Sequence, residues 1–223
     1  MENQSTTKIR EIFTSIQGEG PYMGEKHAFV RFCRCNLNCE FCDTDFDIKK
    51  ADEYDIYKLF NVLDKNDAKV ISFTGGEPLM EVDFLYDFLK SFKVGLNKKI
   101  YLETNGTLFE QLEKIIDFFD VISMDIKLQS ATGQPNRFSV NEKFLQVAIK
   151  KEVFIKVVFD KNIIQEEIDY CTQIAKKYGV LLVLQPKMPM DSELDFEKIF
   201  NKFFEKYENI RLIPQVHKFL NVV

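Results

Sequence analysis

Short, nearly continuous apolar runs recur along the chain and predict its strands. Several of these runs lack the alternating polar positions of a strand with one wet face. Continuous apolar runs are typical of parallel strands that are covered on both faces. The predicted strands are residues 8–13, 28–33, 70–74, 100–104, 121–124, 153–159, 180–184 and 210–214.

Between these runs, apolar residues recur at the spacing of one helical face. The stripes are Ile56, Leu59, Phe60 and Leu63; Val82, Leu85, Leu89 and Phe92; Leu108, Leu112, Ile115, Ile116 and Phe119; Ile164, Ile168, Cys171 and Ala175; and Phe196, Ile199, Phe200, Phe203 and Tyr207. Strands that alternate with helices predict an α/β fold, either an open doubly wound sheet or a partial barrel. Periodicity does not choose between the two. Residues 129–138, which include Gly133 and Pro135, are predicted to form a flexible loop.

Length and charge narrow the class of protein. The 223 residues predict a single domain, residues 1–223. A net charge of −5 gives no general reason to expect nucleic-acid binding, and no apolar run approaches a membrane span. An odd number of cysteines, five, with no secretory signal ahead of them, argues against a disulfide framework and predicts a cytoplasmic protein.

Three of the cysteines, Cys35, Cys39 and Cys42, follow the order C-x3-C-x2-C. Three thiolates this close can hold three corners of a cubane iron–sulfur cluster and leave the fourth iron open to a ligand. The main alternative is a structural zinc site, with Cys33 as the fourth thiolate. Cys33 ends a predicted strand and Cys171 lies on a helical stripe, so both are interpreted as core residues.

The cysteine motif resembles the signature of the radical S-adenosylmethionine (SAM) superfamily. The segment Thr74-Gly75-Gly76-Glu77-Pro78, at a predicted strand end, is similar to that superfamily's motif for the methionyl amino group. The resemblance implies a partial (β/α) barrel with a parallel sheet covered by helices. It also implies one [4Fe–4S] cluster per subunit, held by the three cysteines, with SAM bound at the open iron.

The resemblance also implies which residues contact SAM. Most of them follow predicted strands, and the ends of parallel strands are the usual place for ligands. The implied SAM residues are Phe41, Gly76, Glu77, Ser123, Asp125, Ile126, Lys127, Gln185, Pro186, Lys187 and Met188.

Further motifs resemble one family within that superfamily, the 7-carboxy-7-deazaguanine synthases. They are Ser15-Ile16-Gln17-Gly18-Glu19-Gly20-Pro21, Phe29-Val30-Arg31-Phe32, Cys42-Asp43-Thr44 and Gln215-Val216-His217-Lys218. The resemblance implies a carbon–nitrogen lyase that converts 6-carboxy-5,6,7,8-tetrahydropterin to 7-carboxy-7-deazaguanine in 7-deazapurine (queuosine precursor) biosynthesis. The implied pterin-binding residues are Ile16, Gln17, Gly18, Arg31, Thr74 and Val223, with Thr44 as a Mg²⁺ ligand. A homodimer served by flavodoxin or ferredoxin is also implied.

Two other functions stay open from the sequence. One is an activase that generates a glycyl radical on a partner protein, because Met124-Asp125-Ile126-Lys127 resembles such activases. The other is a zinc-stabilised binding module built on Cys33 and the three clustered cysteines. The two histidines, His27 and His217, are predicted to be polar surface or pocket-edge residues.

Overall fold

The computed structural model of the protein describes residues 5–40, 42 and 47–222. Within this part of the chain, nine strands form one sheet in the order β3-β1-β2-β4-β5-β6-β7-β8-β9. The strands are β1 (Thr6–Ile16), β2 (Lys26–Phe32), β3 (Asp52–Asp55), β4 (Val70–Gly75), β5 (Lys99–Thr104), β6 (Val121–Ile126), β7 (Glu152–Phe159), β8 (Leu181–Pro186) and β9 (Ile210–Leu212).

Helices connect most of the strands and cover the outer face of the sheet. They are α1 (Ile56–Asp64), α2 (Val82–Leu96), α3 (Phe109–Ile115), α4 (Gln129–Thr132), α5 (Phe138–Ala148), α6 (Gln165–Tyr178), α7 (Phe196–Phe204) and α8 (Val216–Leu220). Short 3-10 turns occur at Gly20–Tyr22, Ile48–Lys50, Pro78–Glu81 and Ile116–Phe118.

The sheet is mostly parallel and does not close. β2 and β4 to β9 run parallel, whereas β1 pairs antiparallel with both β2 and β3. The sequence predicted the parallel part correctly but did not predict β3 or the antiparallel edge. Residues 17–25 join β1 to β2, and nine residues are too few for the crossover that parallel neighbours need. The strands β3 and β9 are the edges, so the barrel is partial, as expected from the motifs.

Alternating residues on the strands point to opposite faces of the sheet and contribute to two separate apolar cores. On β7, Ile155 and Val157 enter the large core beneath the helices, while Phe154 joins a smaller core on the concave face. That smaller core lies at the amino ends of the parallel strands. Its buried residues are Tyr22, Val70, Tyr101, Val121, Phe154 and Val183. Both faces of the strands are therefore dry at this level, which explains their continuous apolar runs.

The predicted helical stripes are buried faces except at Ile164, which is 49% exposed ahead of α6, and the helices α4, α5 and α8 were not predicted. Residues 129–138 were predicted as a flexible loop, and the structure instead contains α4 and the start of α5 there. The apolar face of α5 is interrupted by Asn141, which is buried and donates from Nδ2 to the Gly106 carbonyl at 2.9 Å. A polar residue on the buried face hid the helical period.

No helix within the described residues is both long and apolar enough to cross a membrane.

His27 is fully buried, so the expectation of a surface or pocket-edge position was wrong for this histidine. Its Nδ1 lies 2.7 Å from Ser72 Oγ, and the rings of Tyr22 and Tyr101 pack edge-on against it. Burial lowers the pKa of His27 from 6.5 to about 4, with a smaller contribution from the charge of Lys99. The imidazole is therefore neutral at pH 7.

This burial predicts a loss of stability in mild acid. Because the folded-state pKa lies below the unfolded value, the unfolded chain binds more protons as the pH falls from 6.5 towards 4. We expect the free energy of unfolding in urea to fall by about 2 kcal/mol more in wild type than in His27→Gln over this window. Other groups that titrate there are common to both proteins. Parallel stability curves for the two proteins would contradict the assignment.

Candidate active site

The carboxyl ends of the parallel strands surround a cavity of about 630 Å³. This volume is in the range of small-molecule sites. The cavity lies on the concave face, above the smaller apolar core, because the side chains on the same face as that core become polar towards the strand ends. Thr74, Glu103, Asp125, Lys156 and Gln185 all reach it from successive strands.

The three clustered cysteines line one side of this cavity, on the loop that follows β2. Burial raises the pKa of the Cys35 and Cys39 thiols, and the negative charge of neighbouring thiolates raises both further. Leu37 N donates to Cys35 Sγ at 3.4 Å and partly offsets this effect. Three clustered thiols are a donor set suited to a cationic iron centre, whose positive charge would favour their thiolate forms.

The remaining cysteines are core residues, as predicted. Cys33 and Cys171 are buried, and neither lines the cavity. Within the described part of the chain, no three His, Cys, Asp or Glu side chains already converge on one metal-ion position.

The Gly75–Glu77 turn holds the cysteine loop against the end of β4. Gly75 has φ +111°, and a Cβ on Gly76 would lie 2.0 Å from the Arg34 carbonyl oxygen. Only glycine permits this approach. The Gly76 amide donates to the Phe32 carbonyl at 3.1 Å, and the Glu77 amide donates to the Arg34 carbonyl at 2.7 Å.

The Glu77 carboxylate faces inward and does not line the cavity. It accepts hydrogen bonds from Leu79 N at 3.1 Å, Thr104 Oγ1 at 2.9 Å and Asn105 N at 2.7 Å. Burial raises its pKa to about 7, although these hydrogen bonds oppose the shift. Its observed contacts therefore join the ends of β4 and β5, whereas the sequence suggested direct contact with the SAM ammonium.

Glu103 is the centre of a hydrogen-bonded group on one wall of the cavity. Gln17 Nε2 donates to its Oε1 at 2.8 Å, and Thr74 Oγ1 donates to its Oε2 at 2.6 Å. Glu103 thereby joins two residues that the motifs assign to the substrate. Arg31 is near this group, with its Nε 2.8 Å from Glu11 Oε1 and its guanidinium 5.3 Å from the centre of the Phe13 ring.

The neighbouring ends of β6 and β7 carry buried charges. Lys127 Nζ donates to Asp125 Oδ2 at 2.7 Å, and Lys156 Nζ lies 3.3 Å from Asp125 Oδ1 while donating to Glu19 Oε2. Burial alone would lower the pKa of Lys156, but Asp125 and Glu19 outweigh it and raise that pKa well above its ordinary value. Sequence reasoning missed Lys156, although a lysine inside the apolar run 153–159 was a visible signal.

Two further segments complete the cavity. Gln185 is buried, and its Oε1 accepts no hydrogen bond from the residues that the structure describes. The carboxyl-terminal segment returns to the β1 end of the site, where Val216 N donates to the Gly18 carbonyl at 2.9 Å. His217 packs directly on Gly18 and lines the cavity, which agrees with the pocket-edge expectation.

Most of the sequence-predicted site residues line this one cavity. Those that do are Ile16, Gln17, Gly18, Arg31, Cys35, Cys39, Cys42, Thr74, Gly76, Asp125, Lys127, Gln185, Lys187 and Met188. Those that do not are Glu77, Ser123, Ile126 and Pro186, all of which are buried. Phe41, Thr44 and Val223 lie outside the described residues.

A cluster and SAM would suit the residues that are present. Three thiols face one cavity beside Gly76, and the buried Gln185 oxygen lacks a hydrogen-bond donor among the described residues. Buried polar atoms are rarely left without a partner, so Gln185 is suited to accept from an amino group of a ligand.

The protein-family comparison agrees with this geometry. The model of the Radical SAM superfamily matches residues 29–202, which include the cysteine loop and the strands from β4 to β8. The chain therefore belongs to the radical SAM superfamily of enzymes, which use a [4Fe–4S] cluster and SAM.

Comparison with curated relatives identifies the family to which the chain belongs within this superfamily. The 7-carboxy-7-deazaguanine synthase of Thermoplasma acidophilum is 33% identical over 95% of this chain and 96% of its own length. That of Geobacter sulfurreducens is 31% identical over 96% of both chains. Within the superfamily, the chain is a member of the 7-carboxy-7-deazaguanine synthase family.

Solved structures support the fold. QueE from Escherichia coli superposes with a TM-score of 0.68 at 20% identity and covers 95% of both chains. Archaeal TYW1 gives a TM-score of 0.52 at 16% identity, over 82% of this chain and 72% of its own. Both share the open α/β architecture with this protein.

Proposed function

We propose that this protein converts 6-carboxy-5,6,7,8-tetrahydropterin to 7-carboxy-7-deazaguanine with loss of ammonia. The observation that carries the proposal is one cavity that brings the three cysteines together with the Gln17–Glu103–Thr74 group. The name of the curated relatives supports the same reaction. The glycyl-radical activase and the zinc-stabilised module have no comparable support from these relatives.

Cys35, Cys39 and Cys42 would hold three irons of the cluster. When bound, the cluster and SAM supply one-electron reduction and the abstraction of a hydrogen atom from the substrate. The protein surrounds this chemistry with the dry smaller core below and the strand-end polar groups above. Its role is to position the reactants and to exclude water.

On the SAM side, Asp125, Lys127 and Gln185 offer charged and polar atoms to the cavity. Gly76 presents its backbone beside the cysteine loop. Lys187 and Met188 extend the same wall from the end of β8. Ser123, Ile126, Pro186 and Glu77 are buried near these residues, and Phe41 precedes the third cysteine.

On the pterin side, Arg31 offers a planar guanidinium to the substrate carboxylate. Glu103 can accept from the N–H edge of a pterin, because Gln17 and Thr74 hold its carboxylate facing the cavity. Ile16 and Gly18 continue this wall along the loop after β1, and Val223 ends the chain one residue beyond the cavity-lining Val222.

Three features of the proposal rest on family resemblance. Mg²⁺ would bind through the Thr44 hydroxyl together with substrate oxygens, the hard ligands that this ion prefers. The protein would act as a single domain, in a cytoplasmic homodimer with one cluster per subunit. Flavodoxin or ferredoxin would supply the electron.

The reaction is tested directly by anaerobic reconstitution. The protein is loaded with iron and sulfide and incubated with SAM, dithionite, Mg²⁺ and the carboxytetrahydropterin. We expect 7-carboxy-7-deazaguanine by mass spectrometry, at a rate that falls on chelation of Mg²⁺ and recovers when Mg²⁺ is added back. A reconstituted protein that cleaves SAM but leaves the pterin unchanged would contradict the proposed substrate.

Removal of single thiols tests the cluster assignment. Cys35→Ala, Cys39→Ala and Cys42→Ala should each reduce bound iron from about four atoms per chain to less than about one, because the site has no spare thiolate ligand. Cys33→Ala and Cys171→Ala are matched controls and should keep wild-type iron and sulfide content. Retained pterin turnover in Cys39→Ala would overturn the assignment.

Arg31→Ala tests the carboxylate contact. We expect the KM for the pterin to rise about tenfold to a hundredfold, the loss typical of a charge-assisted hydrogen bond, while the dissociation constant for SAM is preserved. Arg211→Ala, at an exposed position on β9, is the matched control. An unchanged KM in Arg31→Ala would remove the proposed role.

A further inference from the structure

Lys156 is a buried ammonium on the cavity face of β7. The strand alternates, so Phe154, Lys156 and Val158 face the concave side while their neighbours enter the large core. The Lys156 side chain is 5% exposed. A charge this buried is costly unless it is paired, and neither the sequence motifs nor the proposed function assigns it a role.

Its two ion-pair partners come from different segments, and the charge of Glu103 on β5 adds to their effect. Asp125 is its register partner on β6, with Oδ1 3.3 Å from Nζ. Glu19 lies on the loop after β1 and accepts a hydrogen bond from the same ammonium. Lys156 therefore joins the loop that carries Gln17 and Gly18 to the strand end that carries Asp125.

The connection continues through Glu19 to the pterin wall. The Glu19 backbone amide donates to Gln17 Oε1 at 3.1 Å, and Gln17 Nε2 donates to Glu103 Oε1. These two contacts fix which end of the Gln17 amide faces Glu103. Gln215 Nε2 holds the other Glu19 oxygen at 2.6 Å.

The pKa shifts of Lys156 and Glu19 indicate that Lys156 carries a permanent charge and does not act as a proton donor. Burial alone would raise the pKa of Glu19, but Lys156 lowers it to about 2, while the pKa of Lys156 itself is raised well above its ordinary value. Both groups stay ionised at neutral pH. An ammonium that holds its proton this tightly is poorly suited to general-acid catalysis.

We infer that Lys156 is a positioning residue, which fixes the Gln17–Glu19 loop against the end of β6 and so sets the spacing between the pterin and SAM sides of the cavity. The inference rests on the proposed function. It predicts that loss of the ammonium impairs pterin binding and its coupling to SAM consumption more than SAM binding itself.

The test compares Lys156→Met and Lys156→Arg in the reconstituted protein, with Lys177→Met as the control. Lys177 is an exposed lysine that pairs with Glu142. For Lys156→Met we expect the pterin KM to rise at least about tenfold, as when one partner of a buried charge pair is removed. SAM consumed per deazaguanine formed should also rise. Lys156→Arg retains the positive charge. Its pterin KM and its SAM consumption per product should therefore return most of the way to the wild-type values.

A second readout does not depend on turnover. Hydrogen exchange of the peptide that covers residues 15–25 should quicken in Lys156→Met and return towards wild type in Lys156→Arg, measured without pterin. The double variant Lys156→Met/Glu19→Gln removes both charges and leaves no unpaired carboxylate from this pair. This double variant replaces Lys156→Met in the test if the single variant does not fold. Its pterin KM should rise by the same factor.

The outcomes separate this inference from the proposed function. If wild type produces no deazaguanine, the proposed function fails, and the exchange measurement still decides whether Lys156 fixes the loop. If wild type turns over the pterin and the lysine variants match it in KM and in SAM consumed per product, the inference is overturned. Normal exchange in the 15–25 peptide would also overturn it.

Discussion

The buried carboxylate of Glu77 is the contact on which the arrangement of the active site depends. Its side chain bonds to groups at the end of β5, and its own amide bonds to the Arg34 carbonyl beside the first clustered cysteine. One residue thereby joins the cysteine loop, the end of β4 and the end of β5. The missing Cβ of Gly76 allows the approach. A change in any of these contacts would move the sulfurs relative to the strand ends.

The two walls of the cavity are built on different physical principles. The Gln17–Glu103–Thr74 wall uses hydrogen bonds to orient one carboxylate. The neighbouring wall, at the ends of β6 and β7, uses buried ion pairs, whose attraction is strong because little water screens it. A hydrogen-bonded carboxylate and an ion pair are both costly to bury, and proteins retain them where they fix geometry. Their concentration at the strand ends therefore indicates that this region is the active site.

Much of the fold could be predicted from the sequence, because buried parallel strands such as 70–74 and 121–124 require apolar side chains on both faces. The antiparallel direction of β1 could not be predicted in this way, since it depends on the length and path of the connection between β1 and β2. Likewise, motifs located most cavity residues but not their orientation. The Gly-Gly-Glu-Pro turn was found, yet only the structure shows that Glu77 turns inward. Lys156 was missed because its ion-pair partners lie 31 and 137 positions away in the chain.

The smaller apolar core beneath the cavity limits the path by which reactants reach and leave the site. Tyr101, Val121, Phe154 and Val183 seal the barrel at the amino ends of its strands. Reactants therefore enter and depart through the same mouth, at the carboxyl ends.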